Sequence, residues 1–247
     1  METTISEYTG LDTEKLFRTH LRPETQRRNF EHNPEITVIT PSIRPEGIIP
    51  VKACLEEQTF KDFEHIIKLS EPKEKCDLCK KLNEALKEAR GKWIVMLQDW
   101  ITILPDGLER FLKVADENKF ITGSMGITSD WKIIKWDWRA YRQGFQEIEY
   151  QEWEEDWAIA PKKAFYELGG YDEEYDNYWA NENVNLAFRA KKLGYSFWVL
   201  PSNKAVQFAH DKFSSHPFRS RWNPDFHNYK IKKIKIGEEP IKLNYLK

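Results

Sequence analysis

Apolar residues along this chain fall into short blocks separated by longer stretches of helical periodicity. The blocks at 36–40 (ITVIT), 65–69 (HIIKL) and 93–97 (WIVML) are compact and rich in β-branched residues. Such continuous runs mark strands buried on both faces, as in a parallel sheet. Between them, 48–58 has helical spacing. Leu78, Cys79, Leu82, Ala85, Leu86 and Ala89 form one face of an amphipathic helix opened by Ser70-Glu71-Pro72, with Gly91 placed as its C-cap. Pro105 opens a further helix to about Ala115, and 120–123 reads as a fourth strand. This β-α-β-α-β-α-β order predicts a parallel sheet with right-handed crossovers.

The second half is patterned differently. The stretches 131–138 and 147–159 mix aromatic and charged residues and read as antiparallel ribbons. A helix is expected from Pro161 to Gly169-Gly170, and another from about Glu182 to Leu193, stopped by Gly194. Strands are expected at 195–200 and 205–209. Residues 1–33 form a polar arm, 34–211 the domain (34–124 a nucleotide-binding half, 125–211 an acceptor half), and 212–247 a tail over the donor site. The tail carries the basic run KIKKIK at 230–235.

Composition narrows the function. With 247 residues and 40% apolar content the chain can build one substantial core. The net charge is −2, which disfavours a polyanion partner, because nucleic-acid affinity comes mainly from neutralising phosphates. Three cysteines (Cys54, Cys76, Cys79) do not make a disulfide framework. The Cys76-x2-Cys79 pair lacks a second Cys/His pair at zinc-site distance. The N-terminus has no apolar signal region and no run is long enough to cross a bilayer. A reducing, cytoplasmic setting is expected.

Candidate chemistry follows from topology. Ligands of open α/β sheets bind beyond the carboxyl ends of the strands. That rule selects the loop after the first strand (Pro41, Ser42, Arg44) and the loop after the third (Gln98, Asp99).

Several segments, in order, resemble the GT-A glycosyltransferases, in particular the inverting family two. They are ITVITPSIRPEGI, the run QTFKDFE into HIIKL, LNEALKEARGKWIVMLQD, LGGYD at 168–172 and NENVNLAFR at 181–189. The resemblance implies a GT-A α/β fold and transfer of a sugar from a nucleotide-diphosphate donor, a UDP-sugar, to a hydroxyl acceptor, assisted by Mn2+ or Mg2+. It makes Asp99 and His210 the metal ligands and Arg219, Arg221 and Trp222 donor contacts. Glu182 becomes the preferred base, with Asp156 as a second candidate and Asn183 where the family keeps its Asp. Two departures stand out: Gln98-Asp99-Trp100 offers one carboxylate where the family has Asp-x-Asp, and Asn183 cannot accept a proton. They motivate a second reading, a domain that binds nucleotide or glycan without turnover. The basic tail alone motivates a third, an acceptor in modified nucleic acid. Trp153 and Trp179 are candidates to stack on an acceptor sugar, with core packing as their ordinary role.

Overall fold

The computed structural model describes residues 32–70, 77–129, 132–178, 181–208 and 223–246. The strands are β1 (Ile36–Ser42), β2 (Phe63–Leu69), β3 (Trp93–Leu97), β4 (Ile101–Ile103), β5 (Lys119–Ser129), β6 (Lys132–Trp136), β7 (Gln146–Ile148), β8 (Trp157–Pro161) and β9 (Ser196–Gln207). The helices are α1 (Ile48–Glu56), α2 (Leu78–Glu88), α3 (Gly107–Leu112), α4 (Lys162–Leu168), α5 (Glu182–Lys192) and α6 (Pro224–Lys235). They build one sheet in the order β2-β1-β3-β8-β5-β9-β4, with β6 on β5 and β7 on β9.

Period-two alternation sends each strand's residues to opposite layers. Ile94 and Met96 of β3, with Ala158 and Ala160 of β8, face a layer that includes α2, α4 and α5. Trp93, Val95 and Leu97, with Trp157 and Ile159, face α1 and α3. Covered on both sides, these strands had to be apolar throughout.

The parallel expectation holds for β1, β2 and β3. It fails for the neighbour of β3, which is not the fourth strand but β8, running antiparallel. β8 separates β3 from β5, and β5 pairs parallel with β9. The two strands expected near the end are a single strand, β9. Its register against β5 shifts between Thr122 and Ser124, and side chains take up the displaced backbone. Ser124 Oγ donates to Pro201 O at 2.9 Å, and Trp157 Nε1 donates to Asn203 O at 3.1 Å. The ribbon expected at 147–159 is broken into β7, a 3-10 turn and β8.

Gly91 is not a helix cap. Helix α2 stops at Glu88 and Ala89 is extended. Gly91 instead passes so close to β1 that a Cβ would lie 2.4 Å from Thr37 N, and its own N–H donates to Thr37 Oγ1 at 2.8 Å. Gly169 does cap α4, at φ 72. A Cβ there would also strike the Leu243 carbonyl, because Leu243 and Tyr245 donate backbone hydrogen bonds to Leu168 and Gly169.

The basic run is helical and lies on α6. Its apolar positions Ile231 and Ile234 pack on Phe188 of α5. Lys230 is 4% exposed and bonded to Asp172, Glu174 and Glu239 at 2.8, 3.0 and 2.7 Å. Lys233 pairs with Glu238. These charges serve the fold. The described part of the tail therefore packs on α5 and on the end of α4. Residues 212–222, with Arg219, Arg221 and Trp222, lie outside the described residues.

Candidate functional site

Both loops selected by the carboxyl-edge rule meet in space. Ser42 ends β1, and its Oγ donates to Asp99 Oδ2 at 2.6 Å. The same hydroxyl accepts from Arg44 N at 2.9 Å, which curls the loop so that Arg44 Nη2 reaches Asp99 Oδ1 at 3.4 Å. Pro41 and Ser42 lie opposite Lys68 and Leu69 of β2. Trp100 takes a left-handed conformation, φ 60, held by its N–H to Gly47 O at 2.9 Å and by Phe208 N–H to its own carbonyl at 2.8 Å. A bulky residue held there stores strain next to Asp99, as functional loops often do.

The antiparallel direction of β8 brings the second half to this edge. Trp157 pairs with Leu97, so the residues preceding β8 arrive beside the residues following β3. Gln98 N–H donates to Asp156 O at 3.1 Å. The lead-in alternates: Trp153 is fully buried, Glu154 reaches the surface, Glu155 is 4% exposed and Trp157 is buried.

Asp156 is fully engaged. Arg139, 3% exposed, grips it with Nη1 to Oδ1 at 2.7 Å and Nη2 to Oδ2 at 2.9 Å. Trp157 N–H adds 2.9 Å to Oδ1. The same guanidinium donates from Nε to Asp137 Oδ2 at 2.6 Å and from Nη1 to Thr122 Oγ1 at 2.8 Å. Burial alone would lower the Arg139 pKa, but the Asp156 and Asp137 charges outweigh it and hold it raised. Both oxygens of Asp156 are thus occupied by the chain's own donors.

Glu182 is the first residue of α5, half-buried, and follows Asn181 in a left-handed conformation, φ 43. Burial pushes its pKa up, against the helix-end amide that favours the charged form. Asn183 turns elsewhere, its Nδ2 reaching toward Trp153 O at 3.5 Å. Glu182 also acts on its neighbours. Loss of water and then the Glu182 charge push Glu155 up to about 8, with a Tyr171 hydroxyl bond at 2.7 Å working the other way. At Glu154, partial loss of water around the carboxyl and then the Asp156 charge push the pKa up to about 7, while Arg139 pulls it down.

The Glu155 shift has a stability consequence. Its folded pKa lies above the ordinary value of 4.5, so it favours the folded state below about 4.5 and that contribution is lost as pH rises toward 8. Glu155→Gln removes the titration. Wild type is expected to lose roughly 3 kcal/mol between pH 5 and 9 from this group, at about 1.4 kcal/mol per unit discounted for relaxation. The variant's urea midpoint should stay flatter over that window.

Sequence reasoning missed Arg139 and Asp137, although an Arg set among aromatics in KWDWRAY was a signal of a buried cation. Trp153 cannot stack on an acceptor sugar: its ring is fully buried, edge-on to Phe120 at 5.4 Å, in the core role that was its alternative. Trp179 and His210 lie outside the described residues. Among the described residues no group of three His, Cys, Asp or Glu side chains is placed to hold a metal, and no helix is long and apolar enough to cross a membrane. An open cleft of about 670 Å3 lies at the far edge of the sheet, lined in part by Glu35, Lys92 and Tyr166. Its Lys92 and Lys163 are tied to Glu117.

A sheet in which β1, β2, β3, β5 and β9 run one way, with β4, β6, β7 and β8 antiparallel to their neighbours and helices on both faces, is a GT-A fold; β8 is the strand that delivers an acidic segment to the carboxyl edge. Solved structures of S. aureus TarS share it. TarS 1-349 in complex with UDP-GlcNAc superposes with a TM-score of 0.61 at 14% identity, over 83% of this chain and 66% of that one. The complex with UDP gives 0.55 at 15%, over 71% and 60%, and a longer TarS chain gives 0.56 over 71% and 37%. This chain thus matches about 60% of the length of the UDP-bound TarS chain. No protein-family model matches the sequence, and no curated protein does.

Proposed function

We propose that this chain is a glycosyltransferase that moves a sugar from a UDP-linked donor to a hydroxyl acceptor with inversion. The observation that carries the reading is the meeting of two unlike half-sites at one sheet edge. Ser42, Arg44 and Asp99 form one polar cluster, the Gln98–Asp156 contact ties the loop after β3 to the acidic segment before β8, and Glu154 of that segment feels the charge of Glu182. The fold shared with UDP-bound TarS supports the choice of nucleotide.

Chemistry divides between the halves. Glu182 takes the acceptor's proton as its oxygen bonds to the anomeric carbon. The bond from that carbon to the diphosphate breaks, and the electron pair leaves with the phosphate. A single displacement from the opposite face inverts the centre. A carboxylate with a raised pKa suits this task, since the best base titrates near working pH. Arg44 supplies positive charge to the departing diphosphate. Asp99 offers hard oxygen donors for Mn2+ or Mg2+. An ion held there would neutralise charge on the leaving diphosphate. Residue 210 is the proposed second protein ligand.

Titration calorimetry with UDP tests the donor half. Wild type is expected to bind UDP more tightly with Mn2+ present. Asp99→Asn should weaken that binding by about tenfold or more, about 1.4 kcal/mol, and lose the metal response. Equal affinity in both proteins removes Asp99 from the donor site. The non-catalytic reading is favoured by Asn183, whose amide turns to Trp153. It predicts UDP binding with no UDP release from any donor. The nucleic-acid reading has less to stand on: Lys230 and Lys233 pair with carboxylates of the chain itself, and of the basic run Lys232 and Lys235 are exposed.

A further inference from the structure

The geometry points to a carbohydrate subsite beside the reacting centre: the groove formed by Trp138, Tyr141, Arg142, Gln151, Glu152 and Glu154 takes a pyranose ring of a neutral oligosaccharide acceptor. This inference rests on the glycosyl-transfer reading and names the acceptor class for the same site. The groove has a volume of about 490 Å3 and is open to solvent. Trp138 and Tyr141 are 37% and 73% exposed, against the core placement of most aromatics here. They begin and end the 3-10 turn Trp138–Tyr141. Residues three apart in a 3-10 helix lie on one side of it, and both side chains line the groove as its aromatic platform.

The platform is fastened from within. Arg139, inside the same turn, is buried and bonded to Asp137, Thr122 and Asp156. Asp137 also caps the turn through Arg139 N–H at 3.1 Å. Binding on a fixed turn costs little ordering entropy. A pyranose has an apolar C–H face for the rings and equatorial hydroxyls for the polar rim of Gln151, Glu152 and Glu154. The rim excludes anions. Arg142 is bonded to Glu152 at 2.6 Å and lies over the Trp138 ring at 5.0 Å. Glu154 stands close to Asp156, Asp137 and Glu182. A nucleotide would meet these carboxylates; an uncharged sugar would not. Glu154 lines the groove and also feels the charge of Glu182, so the groove lies on the same side of the molecule as the proposed base.

The test is intrinsic fluorescence titration of the full chain with chitotriose, cellotriose and maltotriose, with UDP calorimetry on the same samples. Wild type should bind at least one trisaccharide. Trp138→Ala and Tyr141→Ala should each weaken that binding by up to about tenfold, Trp138→Phe by less, with UDP affinity unchanged. Both changes are at the surface, and an unaltered UDP titration certifies the fold. Failure of wild type to bind any of the three, or equal binding by the Ala variants, overturns the subsite. Sugar binding through Trp138 without UDP binding sinks the transfer reading and leaves the subsite standing. UDP binding and release without Trp138-dependent sugar binding does the reverse.

Discussion

Glu182→Gln is expected to cut sugar transfer by about 10²–10⁴-fold, the usual contribution of a positioned general base, with UDP affinity unchanged. The substitution keeps the size of the side chain and its place at the head of α5, so the loss isolates proton transfer. The pH profile provides an independent signature. Transfer requires ionised Glu182, and burial pushes its pKa up. The wild-type rate should therefore rise with pH along a limb displaced above the ordinary carboxylate range, and that limb should vanish in the variant. A variant as active as wild type would move the role elsewhere. Glu154, pushed up to about 7, is the next carboxylate on this wall, and Glu154→Gln would then carry the loss.

The second large effect is on stability. Arg139→Met should destabilise the protein by about 3–5 kcal/mol, the cost of removing one partner from a buried ion pair. The guanidinium serves two carboxylates and the Thr122 hydroxyl. Without it, Asp137 and Asp156 face each other beside Glu154 with no counter-charge. Urea unfolding at neutral pH measures the loss. The deficit should narrow in acid, because the orphaned carboxylates take up protons more readily in the folded variant than in the unfolded chain, which favours the fold as pH falls. A midpoint matching wild type at pH 7 would show that Arg139 does not hold the site together.

Much of the first half could be read from residues alone, for a topological reason. ITVIT and WIVML are buried throughout because both sheet faces are covered, and a buried strand fixes where its loop emerges. Ser42 and Asp99 followed from that placement, and their 2.6 Å contact confirms that the two loops converge. The acceptor half was less legible. WAIAP gives no sign of its direction, yet the antiparallel direction of β8 is what carries Asp156 to Gln98. Three consecutive acids at 154–156 look solvated, whereas the strand-like alternation of their lead-in buries Glu155. Arg139 finds Asp156 seventeen residues away, a pairing that only the folded chain creates. Gly91 looked like a cap because it follows a helix; its requirement comes from β1, a tertiary neighbour.

Release of UDP from UDP-linked hexose and N-acetylhexosamine donors, followed with Mn2+ and trisaccharide acceptors present, tests the central claim most directly. The account predicts release above background in wild type, stimulated by an acceptor and abolished in Asp99→Asn. No release from any of these donors, together with no UDP binding by calorimetry, would contradict it.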